Sequence, residues 1–105
     1  MAKMTPFLEY VLYDIFGECE PITWRAMMGS YVLYYEGKPF AFLDKEELYM
    51  KGSRQTKEWY LERGSKQFSY VKKGEIAYLY YFSVPEEVYE NRDALEVWMG
   101  TALNP

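Results

Sequence analysis

Two stretches near the ends of the chain, Phe7–Phe16 and Ala94–Leu103, place apolar residues at the same offsets of 0, 1, 4, 5, 8 and 9. That spacing is one apolar stripe at the helical period, and a helix with a single stripe needs a surface to bury it against. Between the two stretches the period falls to two. Ile22, Trp24, Ala26 and Met28 alternate with Thr23, Arg25 and Met27, and aromatic, β-branched runs follow at Tyr31–Glu36, Pro39–Asp44 and Leu48–Lys51. Such runs are strands, and they supply the surface that the helices lack.

Turn and cap residues divide these elements. Thr5 and Pro6 open the first helix as capping hydroxyl and first-turn proline, and Gly17 closes it. Gly29-Ser30 ends the first strand, Gly37-Lys38 marks a hairpin, and Lys73-Gly74 marks another between Phe68–Lys72 and Glu75–Phe82. Ser53 is expected to cap a helix running through Arg63, with Gly64 as terminator and Trp59 as its core anchor. Pro85-Glu86-Glu87-Val88 reads as a short helical turn, and Asn91 caps the last helix. The predicted order is α-β-β-β-β-α-β-β-α, in an α+β fold of two layers: an antiparallel sheet with the helices packed on one face.

Over 105 residues, half of them hydrophobic and a fifth aromatic, the chain can offset its ordering entropy, and no Pro/Gly/Ser-rich stretch separates two cores. One domain, residues 1–105, is expected. The longest apolar runs, such as Ala77–Phe82, fall far short of the ~20 residues of a bilayer span, and Met1–Pro6 lacks the hydrophobic region of a signal peptide. A lone cysteine, Cys19, suits a reducing compartment, so the expected location is cytoplasmic.

The absence of histidine removes mechanisms that use it as base, nucleophile or ligand. Cys19 lies between Glu18 and Glu20, whose charges disfavour a thiolate. The pairs Glu46-Glu47 and Glu86-Glu87 fall in turns, without the spacing of a calcium loop, and the chain has no glycine-rich phosphate loop. No catalytic residue, cofactor or metal is expected. Residues 51–73 carry seven basic and two acidic side chains, yet the whole chain has a net charge of −4 and a pI near 4.9. A solvated helix face and hairpin-tip lysines account for that segment, and direct nucleic-acid binding is not expected.

Alternation gives the tyrosines a further meaning. Tyr34 and Tyr35 must point to opposite faces of the sheet, as must Tyr80 and Tyr81, so each pair sends one ring away from the helices. Outward rings on a one-sided sheet suit a protein contact, either a homodimer or a hetero-contact on the exposed face or an edge strand. Arg25, interrupting an apolar strand, is expected either to be exposed on the outer face or to be tied to a carboxylate or to carbonyls, a structural tie being favoured over a binding role.

The stretch Arg25-Ala26-Met27-Met28-Gly29-Ser30-Tyr31, followed by Tyr34, Gly37-Lys38-Pro39-Phe40-Ala41 and Leu48-Tyr49-Met50-Lys51, resembles the N-terminal domain of the TfoX/Sxy family of competence regulators. Gly64, Phe68-Ser69-Tyr70, Lys73-Gly74, Tyr80-Tyr81, Val84–Val88 and the last helix with Leu95, Trp98 and Ala102 continue the match in order. Within its turn motif, Arg25, Met27, Gly29 and Gly37 are the positions assigned a structural role, while Met28 and Ser30 replace the family's usual Phe and second Gly. The family's competence regulators carry a second, helical domain beyond this one. The resemblance implies a two-layer fold similar to secretion-chaperone-like domains, and a regulatory, non-enzymatic role through protein contacts, linked to transcription or competence. The alternatives are a small-molecule or peptide-binding domain and a nucleic-acid binder acting through residues 51–73.

Overall fold

A computed structural model describes residues 5–17, 21–27 and 29–104. Cys19 with its flanking glutamates, and Met28 of the turn motif, lie outside the described residues.

The first helix begins as the sequence predicts. Thr5 accepts a hydrogen bond from the Leu8 N–H at 3.2 Å, and Pro6 opens α1 (Pro6–Glu9). The expected uninterrupted α-helix changes at Tyr10 into a π-helical stretch, Tyr10–Ile15, closed by Phe16 N–H donating to the Val11 carbonyl. The stripe nevertheless holds, because Leu8, Val11, Leu12, Ile15 and Phe16 are all buried.

Six strands form one antiparallel sheet: β1 (Ile22–Met27), β2 (Ser30–Tyr35), β3 (Lys38–Asp44), β4 (Glu47–Lys51), β5 (Gln67–Lys72) and β6 (Glu75–Ser83), in the order β1-β2-β3-β4-β6-β5. The meander and the second hairpin join where β4 meets β6, with Met50 opposite Phe82. Two-residue loops close β2–β3, β3–β4 and β5–β6, each with both loop residues at positive φ, as the tight turns matching strand twist require. The first of these is Glu36-Gly37, one residue earlier than Gly37-Lys38, since Lys38 already pairs with Tyr35.

Register assigns the faces. Ile22, Trp24, Leu33, Tyr35, Ala41, Leu43, Leu48, Met50 and Phe82 share the helix-side face with the main core. Phe40 joins them through a bulge: Leu33 pairs with Ala41 and Tyr34 with Pro39, so Phe40 is the extra residue. Its ring meets Phe16 edge-on at 5.5 Å.

The helices α2 (Lys57–Glu62), α3 (Glu86–Tyr89) and α4 (Arg92–Leu103) complete this layer. Asn91 caps α4 by accepting from the Ala94 N–H, and Leu95, Trp98, Met99 and Ala102 are buried along its predicted stripe. Arg92 Nη1 donates to the Phe16 carbonyl at 2.9 Å, tying the start of α4 to the end of the first helix. In α2 the expectation needs correction. The helix starts at Lys57; the Ser53 N–H donates to Thr56 Oγ1, and the Ser53 hydroxyl is buried with no hydrogen-bond partner among the described residues. The anchor is Tyr60 rather than Trp59: Tyr60 is fully buried, stacked on Phe82 at 4.8 Å, with its hydroxyl donating to the Lys51 carbonyl. Trp59 is half-buried, covered by the Arg63 guanidinium at 3.9 Å.

Candidate protein-interaction surface

Among the described residues no helix covers the other face of the sheet, yet its centre is dry. Phe42 lies there, between inward Ala41 and Leu43, and is only 7% exposed. What shields it is a ring of aromatic side chains on neighbouring strands. Tyr49, its direct partner on β4, stacks on it at 5.3 Å; Phe68 of β5 and Tyr81 of β6 meet it edge-on at 4.8 and 4.9 Å. Phe68 also contacts Tyr49 at 5.1 Å, and Tyr70 extends the group along β5. These offset and edge-to-face arrangements satisfy ring quadrupoles in addition to burying area. The result is a second apolar cluster, separate from the main core, on the outer face of the sheet.

Burial raises the phenol pKa of Tyr49, with the nearby Glu47 and Asp44 carboxylates pushing in the same direction. Tyr81 is raised by burial and then by the Tyr34 phenol. Both therefore stay neutral hydrogen-bond donors across the physiological range, amphipathic rings with a polar tip.

Of the four tyrosines singled out from sequence, Tyr34 and Tyr81 stand on this outer face, whereas Tyr35 packs edge-on against Phe40 in the core at 6.3 Å. Tyr80 departs from the expectation that an inward ring is a buried ring. It lies on the helix-side face, where it lines an open cavity with Lys57 of α2, Gln67 and Tyr78, and is 44% exposed. Phe42, Tyr49 and Phe68 were not singled out, although their signal was present: Phe42 and Tyr49 are out of phase with Leu43, Leu48 and Met50 on the same strands.

The turn-motif residues separate by role. Gly29 and Gly37 adopt positive φ at the β1–β2 and β2–β3 turns. Met27 is exposed. Of the two readings of Arg25 the exposed one holds and the favoured tie does not: it stands on the outer face opposite Val32, and its side chain has no hydrogen bond or ion pair among the described residues.

Other surfaces have different chemistry. A groove of about 780 Å³ between α1, the β3–β4 turn and α3 is lined by Phe7, Tyr10, Tyr89 and Lys66 together with Glu46, Glu47, Glu86 and Glu90. The basic residues of 51–73 are dispersed, with Lys51 on β4, Lys57 and Arg63 at the two ends of α2, and Lys72 and Lys73 at the β5–β6 turn. Among the described residues no three acidic or cysteine side chains group as metal ligands, and no helix is long and apolar enough to cross a membrane.

No curated protein matches the sequence. A family model, that of the TfoX N-terminal domain, matches residues 14–104, from the π-helical stretch through the end of α4. The chain thus belongs to the TfoX N-terminal domain family.

Proposed function

We propose that this protein is a non-enzymatic regulatory module that works by holding another protein against the outer face of its sheet, in a transcription- or competence-related setting in the cytoplasm. The observation that carries the reading is the aromatic cluster around Phe42, on a face that no helix among the described residues covers. Large rings with polar tips, fixed by their neighbours before binding, lose little entropy on contact and are the residue types that anchor interfaces. Family membership supports the regulatory part of the reading. The proposed role requires no bound metal or cofactor, and the acidic pI together with the dispersed basic residues favours a protein partner over nucleic acid.

The test is affinity capture from the native cell lysate, with and without nuclease, comparing wild type with Tyr34→Ser, Tyr81→Ser and Phe68→Ala. A nuclease-resistant protein partner that is lost with the outer-face variants, all three still folded by circular dichroism, is the expected result. A partner held equally well by every variant, or released by nuclease, rejects it.

A further inference from the structure

The sheet has two edges, and they are built differently. At β5 the pairing with β6 shifts register between Gln67 and Ser69, and Lys66 and Lys72 flank the strand. Bulges and edge lysines are devices that prevent a strand from accepting another. At β1 the pairing with β2 runs unbroken from Ile22 to Met27, and Arg25 is its single charge.

Which β1 groups face outward follows from one hydrogen bond. The Glu36 N–H donates to the Pro21 carbonyl, which makes Pro21 and Glu36 a hydrogen-bonding pair in the register that continues through Ile22 and Tyr35. Antiparallel pairs alternate, so Thr23, Arg25 and Met27 bond to β2, while Ile22, Trp24 and Ala26 turn their N–H and C=O groups to the open edge. Pro21, the residue that would ordinarily protect an edge, has its missing N–H on the side of β2.

We propose that β1 pairs with β1 of a second copy, antiparallel about a two-fold axis at Trp24, joining two six-stranded sheets into one. In this register Trp24 bonds reciprocally to the partner's Trp24, and Ile22 and Ala26 bond to the partner's Ala26 and Ile22. All three outward residues of each copy are then satisfied. The arrangement is self-complementary in charge as well: Arg25 falls opposite the partner's Thr23, not opposite its own counterpart, so no like charges meet across the seam. The axis keeps faces together. The half-buried Trp24 rings close the helix-side seam, and the two outer faces become one continuous surface with twice the number of docking sites.

Sedimentation velocity over a micromolar concentration range tests the proposal. Wild type is expected to dimerise. Ala26→Pro removes an outward N–H without touching the bonds to β2 and abolishes the dimer, while Ala26→Val, which keeps the N–H, retains it. Thr23→Glu places a carboxylate opposite Arg25 in both halves of the seam and tightens the dimer roughly tenfold; Thr23→Lys weakens it by a similar factor. These two exposed substitutions carry the test even if the proline variant does not fold. A monomeric wild type at high micromolar concentration, a dimer indifferent to Thr23 charge, or a dimer lost instead with Tyr81→Ser overturns the proposal. The partner-capture result is read independently, so the edge and the outer face can fail separately.

Discussion

Gly52 lies against the ring of Phe82 so closely that a Cβ built on it would stand 2.6 Å from Cε2 and 3.0 Å from Tyr60 Cε2. Glycine is required here by proximity alone, because its φ is not positive. The Tyr60–Phe82 stack is fixed on its far side by the core and cannot retreat without cost. Gly52→Ala is therefore expected to destabilise by ~1–3 kcal/mol in chemical denaturation. Gly100→Ala is its counterpart. It sits within α4 with nothing near its Cβ position, and should stabilise by up to ~1 kcal/mol.

Orientation and burial part company at the tyrosines, and stability separates them. Tyr35→Ser should cost on the order of ~3 kcal/mol, since it opens a cavity beside Phe40. Tyr80→Ser, on the same face of the sheet, should cost less than ~1 kcal/mol, because its ring is already wet. Equal losses for the two would show that α2 covers Tyr80 in solution.

Lys45 and Glu46 hold φ of 48° and 60° in the β3–β4 turn, the left-handed region that disfavours side chains with a Cβ. Glu46→Gly relieves one of these positions, and part of the gain is offset by the freedom glycine restores to the unfolded chain. A net stabilisation of ~0.5 kcal/mol is expected, visible as a shift in denaturation midpoint without a change in slope. A loss of stability would mean that the Glu46 side chain contributes more than its backbone costs.

Four phenols, those of Tyr49, Tyr60, Tyr81 and Tyr89, titrate above their ordinary value of 10.0, with burial as the leading cause in each. Below pH 10 the folded and unfolded chains bind the same phenolic protons, so the contribution of these groups is fully present. Above it the unfolded chain loses protons that the folded chain keeps, and stability falls progressively as pH climbs toward the raised values. Tyrosinate absorbance should show these four groups ionising together with unfolding, late and cooperatively. Replacing Tyr60 by Phe should flatten the alkaline loss of stability. A smooth titration of these four phenols near pH 10 would contradict the burial described.

The helices and caps were legible because their signals are local: Thr5, Asn91 and the two stripes need only a few neighbours in sequence. What was not legible depends on distant partners. Nothing near Trp59 and Tyr60 distinguishes them as helix residues; β6 decides, because Phe82 presents a flat ring to Tyr60 while Arg63 is free to cover Trp59. Phe40 and Phe42 lie two apart and should share a face, but the bulge opposite Leu33 sends Phe40 inward and leaves Phe42 outside. The outer cluster unites rings from β3, β4, β5 and β6, and depends on β4 meeting β6, a pairing between strands separated by α2 and β5. Alternation alone says that one ring of Tyr34 and Tyr35 and one of Tyr80 and Tyr81 point outward, but neither which of each pair nor which rings meet.

The β5–β6 hairpin extends past α2, and toward its turn Val71, Ile76 and Tyr78 are 74%, 65% and 62% exposed on the side where other strands carry the core. A ladder without a packed face has only its own hydrogen bonds to keep it closed. Its amides should consequently exchange with solvent deuterium through local fraying, at a rate insensitive to core substitutions, while those of β3 and β4 wait for the whole molecule to open. Two regimes of motion in one sheet are the expected outcome, with the Tyr81 end of β6 held between β4 and β5 and the Ile76 end opening by itself.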